Sequence, residues 1–279
     1  MTEMPSTKTP EFAMADAQFA VCQRIEEFIG SSVRPILERT SNGDDDHQTY
    51  IGAILRVHAW LRTLGKLNHP GDFQAVLSAS RSLFEIAVDL TLMKFDPTCP
   101  CAKLRAWEES AKYHSAERLA RFCKDHPSTI PAGSEPVLSF LKQKTRILAL
   151  RNQFWNGDRH PTRWTGRKLD IDAAKSDKLR ASGFQEYYDA RHAQVCWNVH
   201  GSGLTGVRTI PAEHFPAISA LGFIDASAFA LIACERALQL MDRWDAISIS
   251  RFENFRKDLV LTQASVLSAH GARVDGWTS

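Results

Sequence analysis

Residues 73–95 read FQAVLSASRSLFEIAVDLTLMKF, and this stretch decides the fold. Phe73, Val76, Leu77, Leu83, Phe84, Ile86, Val88, Leu90 and Leu92 put apolar side chains on most sides of a helix. Asp96-Pro97 ends it, because the residue before a proline is pushed out of helical geometry. A helix that is apolar nearly all round must be covered by other helices. Yet Ser78, Arg81, Glu85 and Asp89 recur at steps of three and four, so they share one face. That stripe is either a solvated face with an Arg81–Glu85 pair or the polar lining of a cleft, where buried charges must be paired.

Reading outward, the covering helices are visible on both sides. Upstream, Ile51, Ile54, Leu55, His58, Leu61 and Leu64 mark one helical face. Residues 11–40 are helical with a bend at Pro35. Ser41 to Asp46 form a solvated loop that supplies acids to the next helix start, and Asp72 is placed to cap the helix at 73. Downstream, helices are expected over 101–125, ended by Pro127, and over 135–155. A loop with a poor helical pattern covers 156–169, and a short helix then stops at Ser182-Gly183. Further helices follow at about 184–199, 217–248 and 250–268. Period-two alternation, hairpin turn signals, internal repeats and low-complexity runs are missing. The expected fold is all-α, a single bundle of about seven to nine helices, with residues 1–10 as a flexible tail and 11–279 as one domain.

Composition narrows the function classes. The chain has 279 residues, 44% apolar and 24% charged, with 15 Gly and 12 Pro, which excludes disordered and collagen-like chains. Its apolar stretch from Ala217 to Cys234 is interrupted by Asp225, and the uncharged run is short of the ~20 residues of a membrane span. It reads as a buried helix, with no membrane partner. Cysteines at 22, 99, 101, 123, 196 and 234 are scattered behind an N-terminus without an apolar signal core, which points to a reduced, cytoplasmic setting. Cys99-Pro100-Cys101 lacks the spacing and second ligand pair of a zinc site. No metal and no cofactor is expected. P-loop, dinucleotide, zincin and hydrolase-elbow motifs are all missing from the sequence.

Net charge is only +2, but its distribution is uneven. Between Lys142 and Lys168 stand eight basic residues and the single acid Asp158. Within this run, Trp155 and Trp164 interleave with Arg151, Arg159, Arg163, Arg167 and Lys168. Arginines neutralise phosphates and indoles stack on unpaired bases, so these seven residues are the candidate nucleic-acid contacts. The alternative is a loop whose tryptophans anchor it to the bundle while its arginines pair with acids elsewhere. A second candidate closes the helix 184–199, where His200 precedes Gly201-Ser202-Gly203. It is either a capping residue or a general acid or base.

Three elements resemble a bacterial family of helical proteins of formally unknown function. They are the RSLFE element at Arg81–Glu85, the WTGRKL loop from Trp164, and a Tyr-rich helix with Tyr187-Tyr188 that ends in Val199-His200-Gly201-Ser202. The likeness spans about residues 50–240. It implies that Arg81, Glu85 and His200 converge, and it suggests a distant likeness to the HEPN class of helical ribonucleases and nucleotide-binding proteins. That class carries an Arg-x(4–6)-His motif on a helix. Here Arg62…His69, Arg121…His126 and Arg208…His214 match, which is about what chance gives for ten histidines, and the composite site departs from that pattern.

The reading that follows is an RNA- or nucleotide-directed helical effector acting as a metal-independent ribonuclease. In it His200 is the acid or base, Arg81 stabilises the developing phosphorane charge and Glu85 orients them. RNA or another phosphate-bearing ligand is the expected partner, with a second copy of the chain as a further one. The alternative is a non-enzymatic module that binds a protein partner or a small anionic ligand.

Overall fold

The computed structural model describes residues 9–40, 43–127, 133–157, 159–199 and 210–270. The tail at 1–8 and His200 with the following glycines lie outside the described residues. Helices α1 (Pro10–Phe28) and α2 (Arg34–Thr40) are joined by a π-helical turn at Ile29–Val33. The break falls one turn before Pro35, whose missing N–H cannot hold the regular ladder, and Arg34 N–H reaches back to Ile29 O. Asp44 caps α3 (Asp45–Leu64) by accepting from His47 N–H, with Asp45 and Asp46 in its first turn. Asp72 does not cap α4 (Phe73–Phe95); its carboxylate turns back to accept from His69 N–H at 3.2 Å.

Helix α5 (Cys101–Asp125) follows. The segment expected as one helix at 135–155 is instead α6 (Ser134–Leu138), a 3₁₀ stretch and α7 (Lys144–Trp155). After the 156–168 loop come α8 (Leu169–Leu179), then α9 (Phe184–Tyr187) and α10 (Ala193–Val199) with a π-helical turn at Tyr188–His192 between them. The long helix expected to reach 248 ends earlier. Helix α11 (Phe215–Leu240) stops at a turn in which Asp242 takes φ 53°, and Asp245 caps α12 (Ala246–Ala269) by accepting from Ser248 N–H. Among the described residues, with runs joined through π or 3₁₀ turns taken as one, nine helices make an all-α bundle and no strand occurs.

α4 is the central rod. Val76, Leu83, Phe84, Val88 and Leu92 are fully buried, and its longest packing seam is with α11. That seam is close because α11 presents small residues: Ala226, Ala230, Ala233 and Ala237 are fully buried. A Cβ on Gly222 would lie 2.8 Å from Val76 Cγ1, so only glycine lets the two helices approach this far. α11 is long and apolar enough to cross a membrane by length and composition, but most of its apolar window is buried within the bundle. α1 packs on the outer side of α11, and Cys22 Sγ lies 3.1 Å from Ser227 Oγ there.

Candidate functional site

Two members of the polar stripe of α4, Glu85 and Asp89, line a cleft, while Ser78 and Arg81 lie outside its lining. Ser82, Glu85 and Asp89, with Ile86, Leu90 and Met93, form the floor of an opening of about 900 Å³. α3 supplies one wall, including Gly52, Arg56 and Trp60, and α5 supplies the other, including Arg105, Trp107 and Glu108. Thr162, Arg163 and Trp164 close the side. Helical spacing puts Glu85 and Asp89 one turn apart on the same face.

A chain of ion pairs runs along this floor. Arg81 Nε donates to Glu85 Oε1 at 3.1 Å. Arg163 Nη1 lies 4.0 Å from Glu85 Oε2, while Arg163 Nη2 donates to Asp89 Oδ1 at 2.5 Å and Nε to Asp172 Oδ2 at 2.9 Å. Asp172 also accepts from Thr165 Oγ1 at 2.7 Å and Arg167 Nε at 2.7 Å. Arg167 Nη2 then reaches Asp96 Oδ2 and Cys99 Sγ, each at 3.3 Å, and Lys175 Nζ meets Asp96 Oδ2 at 2.5 Å.

Local sequence explains the arrangement. Gly166 at φ 78° closes a turn that aims Arg163 and Arg167 at the same acid. Asp172 is 0% exposed in the first turn of α8, where the helix dipole favours an anion, and three side-chain donors satisfy it. Burial pushes the Asp89 carboxyl up to about 6, against the pull of Arg163. Burial would raise Asp96 as well, but hydrogen bonds from Lys175 and Thr98 outweigh it and hold Asp96 well below the usual carboxylate range.

The basic, Trp-bearing segment is tied down at several points. Trp164 is 2% exposed, and Trp155 Nε1 donates to its carbonyl at 2.8 Å. Trp107 Nε1 donates to Pro161 O at 2.8 Å. The His160 ring sits between Trp107 and His114, with Nδ1 2.9 Å from Ser110 Oγ. Burial, with Arg151 and His114 nearby, lowers the His160 pKa. Arg151 is buried, donating to Ser110 Oγ at 2.7 Å and facing the Tyr113 ring. Of the seven candidate nucleic-acid contacts, Arg151, Arg163, Arg167 and Trp164 are therefore engaged inside the protein. Trp155 is partly buried, and Arg159 and Lys168 are exposed.

The Arg81–Glu85 pair is present at the cleft edge. α10 packs on α4, and Cys196 on it lies close enough to sense the charges of Arg81 and Glu85. Its Sγ is 3.5 Å from His192 Nδ1, and Tyr188 stacks on His192. His200, the third member of the expected composite site, lies outside the described residues.

Sequence reasoning missed Trp60, Trp107, Asp96 and Asp172 as site residues. Only Asp172 carried a signal, as an acid shortly after the two arginines it binds. Comparison with family models, with curated proteins and with solved structures gave no match to this chain.

Proposed function

We propose that this chain is a helical ligand-binding protein, and that the α3–α4–α5 cleft is where a small molecule binds. The observation that carries this reading is the lining. An opening of about 900 Å³ combines apolar and aromatic walls with two carboxylates aligned on one helix face. Small-molecule sites are likewise concave and combine apolar and aromatic surface with placed polar groups that fix orientation. The carboxyl of Asp89, pushed up to about 6, lies in the same cleft, and shifted groups concentrate at functional sites.

The RNA-directed reading is the second one. The observation in its favour is that α10 brings Cys196, four residues before His200 in the sequence, beside Arg81 and Glu85. Against it, Arg163 and Arg167 already face Asp89, Asp96 and Asp172, which removes two of the candidate phosphate contacts.

One experiment separates the two. Gly52 lines the cleft, and a Cβ there meets nothing within 4 Å, so Gly52→Trp fills the cleft without a clash at its first atom. A panel of small molecules is screened for shifts in melting temperature on wild type and Gly52→Trp. Compounds that stabilise wild type and lose the effect in Gly52→Trp are expected. Equal shifts in both proteins would defeat the cleft reading. Cleavage of total RNA in EDTA by wild type, lost in His200→Ala, would establish the ribonuclease reading instead.

A further inference from the structure

We infer that the cleft is selective for a planar organic cation, a guanidinium or amidinium group carried on a small flat body, with Glu85 and Asp89 as its acceptors. This rests on the cleft being a ligand site and goes on to name the ligand class.

The charges of the lining point this way. Four acids face the opening, Asp45, Glu85, Asp89 and Glu108, against three arginines, Arg56, Arg105 and Arg163. Two of those arginines are already held by carboxylates outside the lining: Arg105 by Asp46, and Arg163 by Asp172. Arg56 is the remaining cation, and it is exposed on α3. An anionic ligand would find one uncommitted arginine, Arg56, beside Asp45, Glu108 and the second oxygens of Glu85 and Asp89, whose first oxygens already accept from Arg81 and Arg163. A cation meets a surplus of negative charge.

Acceptor capacity points the same way. Glu85 uses Oε1 for Arg81, and its Oε2 is 4.0 Å from the Arg163 guanidinium, beyond hydrogen-bond distance. Asp89 uses Oδ1 for Arg163. The Trp164 indole N–H lies beside Asp89 and helps hold its ionised form, but Nε1 completes no hydrogen bond. The raised Asp89 pKa is what an under-compensated carboxylate shows, and an added cation would relieve it. A guanidinium or amidinium supplies several N–H donors in one plane, which suits two acceptors one helical turn apart. Trp60 and Trp107, both partly buried, line opposite walls, and with one face of Trp107 stacked on His160 the Trp60 ring is the platform on which such a group can lie.

The test is titration calorimetry with three isosteres: benzamidine, benzamide and benzoate. Benzamidine is expected to bind wild type, benzamide about tenfold or more weakly, and benzoate not at all. Glu85→Gln and Asp89→Asn should each weaken benzamidine about tenfold or more, and Gly52→Trp should abolish its binding. Melting curves establish that each variant is folded, and either carboxylate variant alone suffices for the comparison. Benzoate or inorganic phosphate binding as tightly as benzamidine would overturn the ligand class while leaving the cleft reading intact. Benzamidine binding that survives Gly52→Trp would overturn the assignment to this cleft. Failure of all three isosteres, with other panel compounds still sensitive to Gly52→Trp, overturns the cation alone. With no such compound, both readings fall. Agmatine and the capped peptide acetyl-Gly-Arg-Gly-amide carry the same cation. Tighter binding of agmatine supports a free small molecule, and tighter binding of the peptide overturns that source in favour of a protein arginine.

Discussion

α4 is held from its two sides by opposite chemistry. Against α11 it meets a seam of alanines and one glycine, where Val76 and Leu77 close on Gly222 and Phe84 packs on the Phe229 ring. Against the 159–179 segment it meets charge: Arg163 bridges Glu85 and Asp89 to Asp172, and Arg167 bridges Asp172 to Asp96. The apolar seam gains its stability from area and close packing, which pH and salt barely touch. The ionic side depends on complete pairing, because each partner removed strands a desolvated charge. Only the ionic side leaves polar atoms facing an opening, so one seam carries architecture and the other carries the candidate site.

The comparison breaks most visibly at Asp172. Asp172→Ala leaves Arg163 and Arg167 without their shared, fully buried acceptor, and a loss of about 3–5 kcal/mol is expected by chemical denaturation. A loss under about 1 kcal/mol would mean that the ionic seam is ornamental to stability.

Asp225 sharpens the contrast from within the apolar seam. It sits 4% exposed on α11 with Arg191 3.1 Å away, and burial raises its carboxyl to about 7 against the pull of that arginine. The folded state thus binds a proton that the unfolded chain, at an ordinary 3.8, has released. The cost of ionisation is absent below about pH 4, grows through the window up to about pH 7, and is complete above it. Asp225→Asn is therefore expected to stabilise the protein by about 1–3 kcal/mol at pH 8, with the gain fading as pH falls toward 4. Melting curves across that range check the sign.

The smallest expected effect tests the close approach itself. Gly222→Ala adds a methyl 2.8 Å from Val76 Cγ1, and the gain in helix propensity offsets part of the overlap. A net loss of about 1 kcal/mol, unchanged between pH 5 and 8, is expected from thermal melts. A stabilised Gly222→Ala would show that the α4–α11 seam has slack.

The fold was readable wherever a stop signal is local. Asp96-Pro97 and Pro127 ended α4 and α5 where expected, since proline acts on its immediate neighbours. The end of α11 escaped because no proline or glycine marks it; Asp242 takes the left-handed conformation and Asp245 restarts the chain. Half of the site was readable for a similar reason. The face shared by Arg81, Glu85 and Asp89 is a property of one helix. Their partners were not, because Arg163 comes from a segment 74 residues beyond Asp89 and Trp60 and Trp107 lie on two other helices. A count of charges along 142–168 cannot tell a free arginine from one already facing a carboxylate, so Arg163 and Arg167, which face Asp89, Asp96 and Asp172, counted the same as the exposed Arg159 and Lys168.

The turn at Gly166 has a consequence for motion. Between Trp155 and Leu169 the backbone has no helix ladder to hold it, and side chains from α4, α5, α7 and α8 hold it instead. Segments held by side chains and not by a backbone ladder generally open locally, as a unit, at a lower free energy than the helices around them. Because this segment forms one side of the cleft, the rate at which a ligand enters or leaves can be set by the clasp and not by the size of the opening.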